Sequence, residues 1–201
     1  QSNLAPWLME LDSQVYFGYV DHVMDNYSLR EFTPSMAMPH PSASNPDRYS
    51  RGGRMVATID LAWFSEFKLG IDHQHQVHRD RSSMNQLQLP YQHQPRRETA
   101  SVAQYGVFLE GSVPLTAGQQ VIGGLRWDHW RATDEREFLG MPTLPQPNPT
   151  ANMRRNDDLY SAFVRWEYQH QHQQWSVGIG RAERFPDFWE LIGNRNQSPT
   201  S

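Results

Sequence analysis

Apolar residues recur at every second position along most of this chain. Met55, Ala57, Ile59, Leu61 and Trp63 share one parity while Thr58 and Asp60 share the other, and Phe67, Leu69 and Ile71 oppose Lys68, Gly70 and Asp72. Tyr105, Val107 and Leu109 oppose Gln104 and Glu110. Tyr160, Ala162, Val164, Trp166 and Tyr168 oppose Ser161, Arg165 and Glu167, and Trp175, Val177 and Ile179 oppose Ser176, Gly178 and Gly180. A period of two belongs to strands with two chemically different faces. It predicts strands over residues 14–25, 53–63, 66–77, 101–112, 119–131, 157–169 and 173–183, with the end of another at 7–10. Short turns at 11–13, 64–65, 113–118 and 170–172 alternate with long polar loops at 26–50, 78–97 and 132–156.

A soluble antiparallel sandwich also alternates, so strand length has to decide. The predicted strands run to about a dozen residues, against about 5–6 in globular sheets and about 9–11 to cross a bilayer. Short turns at one end and long loops at the other are the outer-membrane pattern. A charge at the lipid midplane costs about 2–4 kcal/mol, so the charged parity is read as facing a wet or plugged lumen. Trp63, Trp127, Trp130, Trp166, Tyr168 and Trp175 fall near strand ends, where an interfacial girdle places aromatics. The expected fold is all-β, an antiparallel transmembrane β-barrel segment of about seven or eight strands from a larger barrel.

Composition agrees with that expectation. Mean hydropathy is −0.76 and the hydrophobic fraction is 37%, yet 12% of residues are aromatic. No apolar run approaches the roughly 20 residues of a membrane helix, and low hydropathy follows when only alternate residues meet lipid. A net charge of −4 without a basic cluster argues against nucleic acid as a partner. There is no cysteine, hence no disulfide or thiolate ligand within these residues. QSNLAPWLME has no basic start, apolar core or cleavage site. An exported protein needs such a leader, so residues 1–201 are expected to be one partial barrel domain, internal to a longer chain.

The candidate chemistry lies at the first strand and its loop. YVDHVMDNYSLR places His22 and Met24 two apart at the expected strand end, and SMAMPHP supplies Met36, Met38 and His40. Residues two apart on a strand point to one side. Thioether with imidazole is a soft donor set suited to copper, Cu(I) above all. Packing or a girdle position is the alternative for the pair, and inward folding of the loop is the alternative for Met36 and Met38. His73, His75, His170 and His172 form two His-x-His pairs without a preorganised setting. Carboxylates at the loop edges read as solvated. No nucleophile elbow, Gly-rich phosphate loop or HExxH occurs, so an enzyme is not expected. Arg79, Arg81, Arg96, Arg97, Arg154 and Arg155 fall in the expected outer loops, where they would meet lipopolysaccharide phosphates.

GRAERFPDFWEL (Gly180–Leu191) resembles the arginine-phenylalanine-proline stretch that ends a barrel strand in TonB-dependent outer-membrane receptors. VDHVMDNYSLR (Val20–Arg30) with NPDRYSRGGR (Asn45–Arg54) resembles the copper receptor branch of that family. The resemblance implies a barrel of about 22 strands closed around an N-terminal plug, in the outer membrane. It implies energy supplied through the plug by a TonB–ExbB–ExbD complex, and a copper ion as the transported ligand. It implies that a His-x-Met pair from the barrel, here His22 and Met24, completes a site with Cys and Met of the plug. No plug, TonB box or aromatic C-terminal strand is present in these residues. A ferric siderophore as cargo and a passive structural barrel are the alternatives.

Overall fold

The computed structural model describes residues 6–141, 144–186 and 188–191. Its strands in chain order are β1 (Leu8–Asp21), β2 (Met24–Asp25), β3 (Ala43–Ser44), β4 (Asp47–Ile59), β5 (Glu66–Asp80), β6 (Ser82–Ser83), β7 (Arg97–Thr116), β8 (Gln119–Asp134), β9 (Phe138–Met141), β10 (Leu144–Pro147), β11 (Arg154–His170) and β12 (Gln173–Arg181). Seven of them form one sheet in the order β1-β4-β5-β7-β8-β11-β12, every neighbouring pair antiparallel. The sheet is a meander and is not closed; β1 and β12 are its two edges.

The register carries the period-two pattern across the whole sheet. Leu11, Ala57, Leu69, Leu109, Leu125 and Ala162 line up in one row. Met55, Ile71, Val107, Trp127 and Tyr160 form the next towards the long loops, and Ile59, Phe67, Val164 and Ile179 the next towards the short turns. From β1 to β11 these rows contain no charge. Large side chains on this face stand out from the sheet, Val15 88% and Ile179 76% exposed. From Tyr160 to Tyr168 the apolar stretch covers roughly 25–30 Å along the strand, against a band about 25 Å tall on membrane barrels.

The opposite face is polar. At its centre Arg126 pairs with Asp72 at 2.8 Å and with Asp128, and Gln104 donates to Asp128 at 2.7 Å. Gly106 leaves the space for this triad, because a Cβ there would meet Arg126 Nη2 and both carboxylates. The buried apolar residues Ala100, Ala132, Leu159 and Phe185 also gather on this side. Phe185, beyond the end of β12, stacks on Trp130 at 5.2 Å. Trp130 therefore belongs to this packed cluster and not to a girdle: its register against Gln104 and Asp157 gives it the polar-face parity. Where β12 stops, the Glu183 carboxylate accepts from Tyr160 N–H at 2.8 Å and takes up the vacated ladder position. Asp187 and the residues after Leu191 of the exit segment lie outside the described residues.

Several boundaries differ from the sequence expectation. Residues 11–13 are not a turn, because Leu11, Asp12 and Ser13 stay in register with Ala57, Val56 and Met55. The partial strand 7–10 and the first strand are therefore one. β4 begins at Asp47 and not at residue 53; the polar run Asp47–Gly52 pairs with β1 and β5 on both sides. It ends at Ile59, so Leu61 and Trp63 belong to the turn, and Trp63 is 84% exposed there. At the β7–β8 turn Gly118 has φ 77°, and the Gln169 carbonyl crowds the position a Cβ would take.

Candidate functional site

The long-loop end of β1 is built around Asn45, whose side chain is fully buried. Its amide Nδ2 donates to the Asp21 carboxylate and to the His22 carbonyl oxygen, the latter at 3.0 Å. Its Oδ1 accepts from Arg81 Nε at 2.7 Å and Arg96 Nη2 at 2.8 Å. Beside it Asp47, with no side-chain exposure, accepts two hydrogen bonds from Arg79 at 2.9 and 2.6 Å, pairs with Arg96 at 3.0 Å and accepts from the Tyr19 hydroxyl at 3.2 Å. Buried charges persist only when paired and hydrogen-bonded, and Asp47 is both; Asp21 is paired as well but keeps 42% of its side chain exposed. The knot joins the end of β1, the segment before β4, the end of β5 and the chain leading into β7.

His22 and Met24 stand on this knot, though not as two residues of one strand. β1 stops at Asp21: His22 N–H still follows the register to the Pro46 carbonyl oxygen at 3.0 Å, but Pro46 has no N–H to return the bond. Met24 opens β2 and faces Ser44 of β3, which in turn pairs with β6. His22 is exposed and Met24 is 45% exposed. Both backbones are thus held by flanking hydrogen bonds while both side chains remain accessible.

The loop methionines divide. Met36 is fully exposed at the tip of a turn closed by Ser35 N–H to the Met38 carbonyl at 3.0 Å and by Met38 N–H to Ser35 Oγ at 3.1 Å. Met38 folds back, its sulfur accepting from Asn26 Nδ2 at 3.7 Å. Asn26 is two residues beyond Met24 and is tied to Ser42 by hydrogen bonds in both directions. The fold therefore returns the Met38 thioether to the segment that carries Met24, and leaves Met36 and His40 in the open. Nearby, the Ser28 and Tyr27 N–H groups hold the Asp25 carboxyl below its ordinary range. Among the described residues no three His, Asp or Glu side chains converge on a point that could hold a metal.

Three of the remaining histidines are engaged elsewhere. His73 shares a hydrogen bond with the Gln104 carbonyl at 2.8 Å and stacks on Tyr105 at 4.4 Å. His129 lies 2.8 Å from Asp158, and His170 stacks on Tyr168. Asn45 and Asp47 were not singled out as functional by the sequence, although both lie in the NPDRYSRGGR stretch on which the family resemblance rests.

Residues 2–201 match the family described as TonB dependent receptor-like, beta-barrel. The chain belongs to that family. Among solved structures, it is similar to one described as "Copper transporter OprC", at 37% identity and a TM-score of 0.84. That similarity covers 96% of this chain and 30% of the other, so the residues here span under a third of the relative's length. No curated protein sequence matches the chain. The family match accounts for the meander, its two unlike faces, and the alternation of short turns with long loops.

Proposed function

We propose that residues 1–201 form part of the barrel wall of a TonB-dependent receptor that imports copper across the outer membrane. The apolar face is the lipid side and the polar face the lumen. The long loops, with His22, Met24, Met36, Met38 and His40, are extracellular, as in barrels whose short turns are periplasmic. The observation that carries the reading is the placement of exposed His22 and Met24, with Met38 folded back onto Asn26 two residues beyond Met24, in a chain 37% identical to a copper transporter.

Copper is the cargo. Met36 at the loop tip makes the first contact, and Met38 and His40 pass the ion to His22 and Met24, a donor series suited to Cu(I). The buried knot fixes the backbone at His22, which lowers the ordering cost of binding. Release follows when a TonB–ExbB–ExbD complex remodels the plug of the complete receptor. Binding and translocation, not catalysis, are the activity.

The test is stoichiometric copper analysis of the full-length receptor, purified in detergent under reducing conditions. His22→Ala/Met24→Ala is expected to lose bound copper while retaining the barrel's β-sheet spectrum. A wild type without copper, or a double variant that holds as much, sinks the assignment and moves another cargo, such as a ferric siderophore, to the front.

A further inference from the structure

Over its upper half, the polar face of β5 carries a donor atom at every position. From the loop end downwards Asp80, His78, Gln76, Gln74 and Asp72 share that face, and all five are half-buried. Residues two apart on a strand are separated by roughly 6–7 Å, so the series descends roughly 26 Å. The neighbouring strands break off at the same levels, β4 with Gly52 and β7 with Ala100, Val102 and Gly106. Among the described residues no hydrogen bond engages the Gln74 or Gln76 carboxamide.

The top of the series adjoins the candidate copper pair. Ser44, directly opposite Met24, donates through Oγ to Asp80 Oδ1 at 3.4 Å. The register that pairs Asp47 with Asp21 and Arg79 continues one residue further, through His22 N–H to Pro46 and Asn45 N–H to the Arg81 carbonyl at 2.8 Å. His22 and Asp80 thus flank Pro46, two strand spacings or roughly 9–10 Å apart. Lower down, Tyr16 lies across Gly52 and brings its hydroxyl to the level of Gln74, which Gln104 faces from β7. The lowest member, Asp72, is shared with Arg126. Two cations stand alongside on β4, Arg48 opposite His78 and Arg54 opposite Asp72.

We infer that this face of β5 is the path by which a cuprous ion descends the lumen wall after leaving His22 and Met24. The ion passes to Asp80, moves by way of His78, Gln76 and Gln74, and leaves the wall at Asp72. Conduction needs sites favourable enough to enter and weak enough to leave. Carboxamide oxygens are poor ligands for a soft cation, and the like charge of Arg48 and Arg54 keeps the positions beside them shallow. The inference rests on the copper-import reading above and adds the route to it.

The experiment measures copper uptake by cells producing the full-length receptor in copper-limited medium, and bound copper on the same receptor purified under reducing conditions. Gln74→Leu/Gln76→Leu removes two successive donors and is expected to slow uptake by roughly tenfold, with bound copper at the wild-type level. Gln74→Met/Gln76→Met puts soft ligands of similar size in their place, and is expected to trap about one additional copper ion per receptor while also slowing uptake. A structural role for the glutamines would not add a copper ion. Wild-type uptake by the leucine variant overturns the path, and so does a methionine variant that holds no more copper than wild type. Should the leucine variant lose its barrel fold, the methionine variant decides. A wild type that holds no copper overturns the import reading itself, and the inference with it.

Discussion

Asn45 makes contacts that no local pattern discloses. Its partners Asp21, Arg81 and Arg96 lie 24, 36 and 51 residues away in sequence. Periodicity reports only the neighbours of a residue, which is why His22 and Met24 stood out from sequence while the knot beneath them did not. The same limit hid the pairing of Arg79 and Arg96 with Asp47 and Asp21, which depends on the folded register. Asn45→Ala would leave two guanidiniums without their shared acceptor and release the His22 carbonyl. Each buried group left unsatisfied costs about 1–3 kcal/mol. We expect residues 22–46 and 81–96 to gain protease sensitivity, with copper affinity reduced and the sheet intact. Unchanged amide hydrogen exchange at positions 22 and 45 in the variant would contradict this role.

At the scale of elements, alternation identified all seven long strands and their antiparallel order was legible from the turns. Their ends were not. Asp47–Gly52 lacks apolar alternation yet is paired, because long strands continue past the apolar band where polar side chains are free to face water; Leu11–Ser13 lies within the band, and its Asp-Ser pair reads as a turn although the ladder runs through it. The third long loop, predicted without strands, holds a small hairpin, β9–β10, anchored by Asp134. Burial by itself raises the Asp134 pKa, but hydrogen bonds from Arg136 and Asn148 and the Arg136 charge outweigh it and leave the carboxyl below its ordinary range. Its folded pKa thus lies below the unfolded value of about 4, so its stabilisation is full above that value and fades as pH falls through the folded one. Hydrogen-exchange protection of Asn152, whose N–H donates to the Asp134 carbonyl at 2.7 Å, should be level from pH 7 to about 5 and fall only below about 4. Loosening already between pH 7 and 5 would show that another group holds the loop.

For the molecule as a whole, the sheet's open edges decide its independence. The outer edges of β1 and β12 have no partner strand among the described residues. In lipid each unsatisfied backbone group costs several kcal/mol, which only closure removes. Residues 1–201 produced alone should therefore aggregate or refold without the heat-modifiable gel shift of a closed barrel, whereas the full-length receptor shows it. A monodisperse, heat-modifiable preparation of the isolated segment would contradict its place as one part of a larger wall.

The twenty residues of β7 have a final consequence. At about 3.3 Å each and a tilt of about 40°, they rise roughly 50 Å, well beyond the hydrocarbon thickness of about 30 Å. The wall therefore stands clear of the bilayer, and the end of β1 at Asp21, which leads into His22 and Met24, lies roughly 20 Å along the strand above Val15. On the proposed reading, a copper ion bound there would sit in open electrolyte, with charges screened over about 8 Å, and the site would compete directly with every soluble chelator in the growth medium.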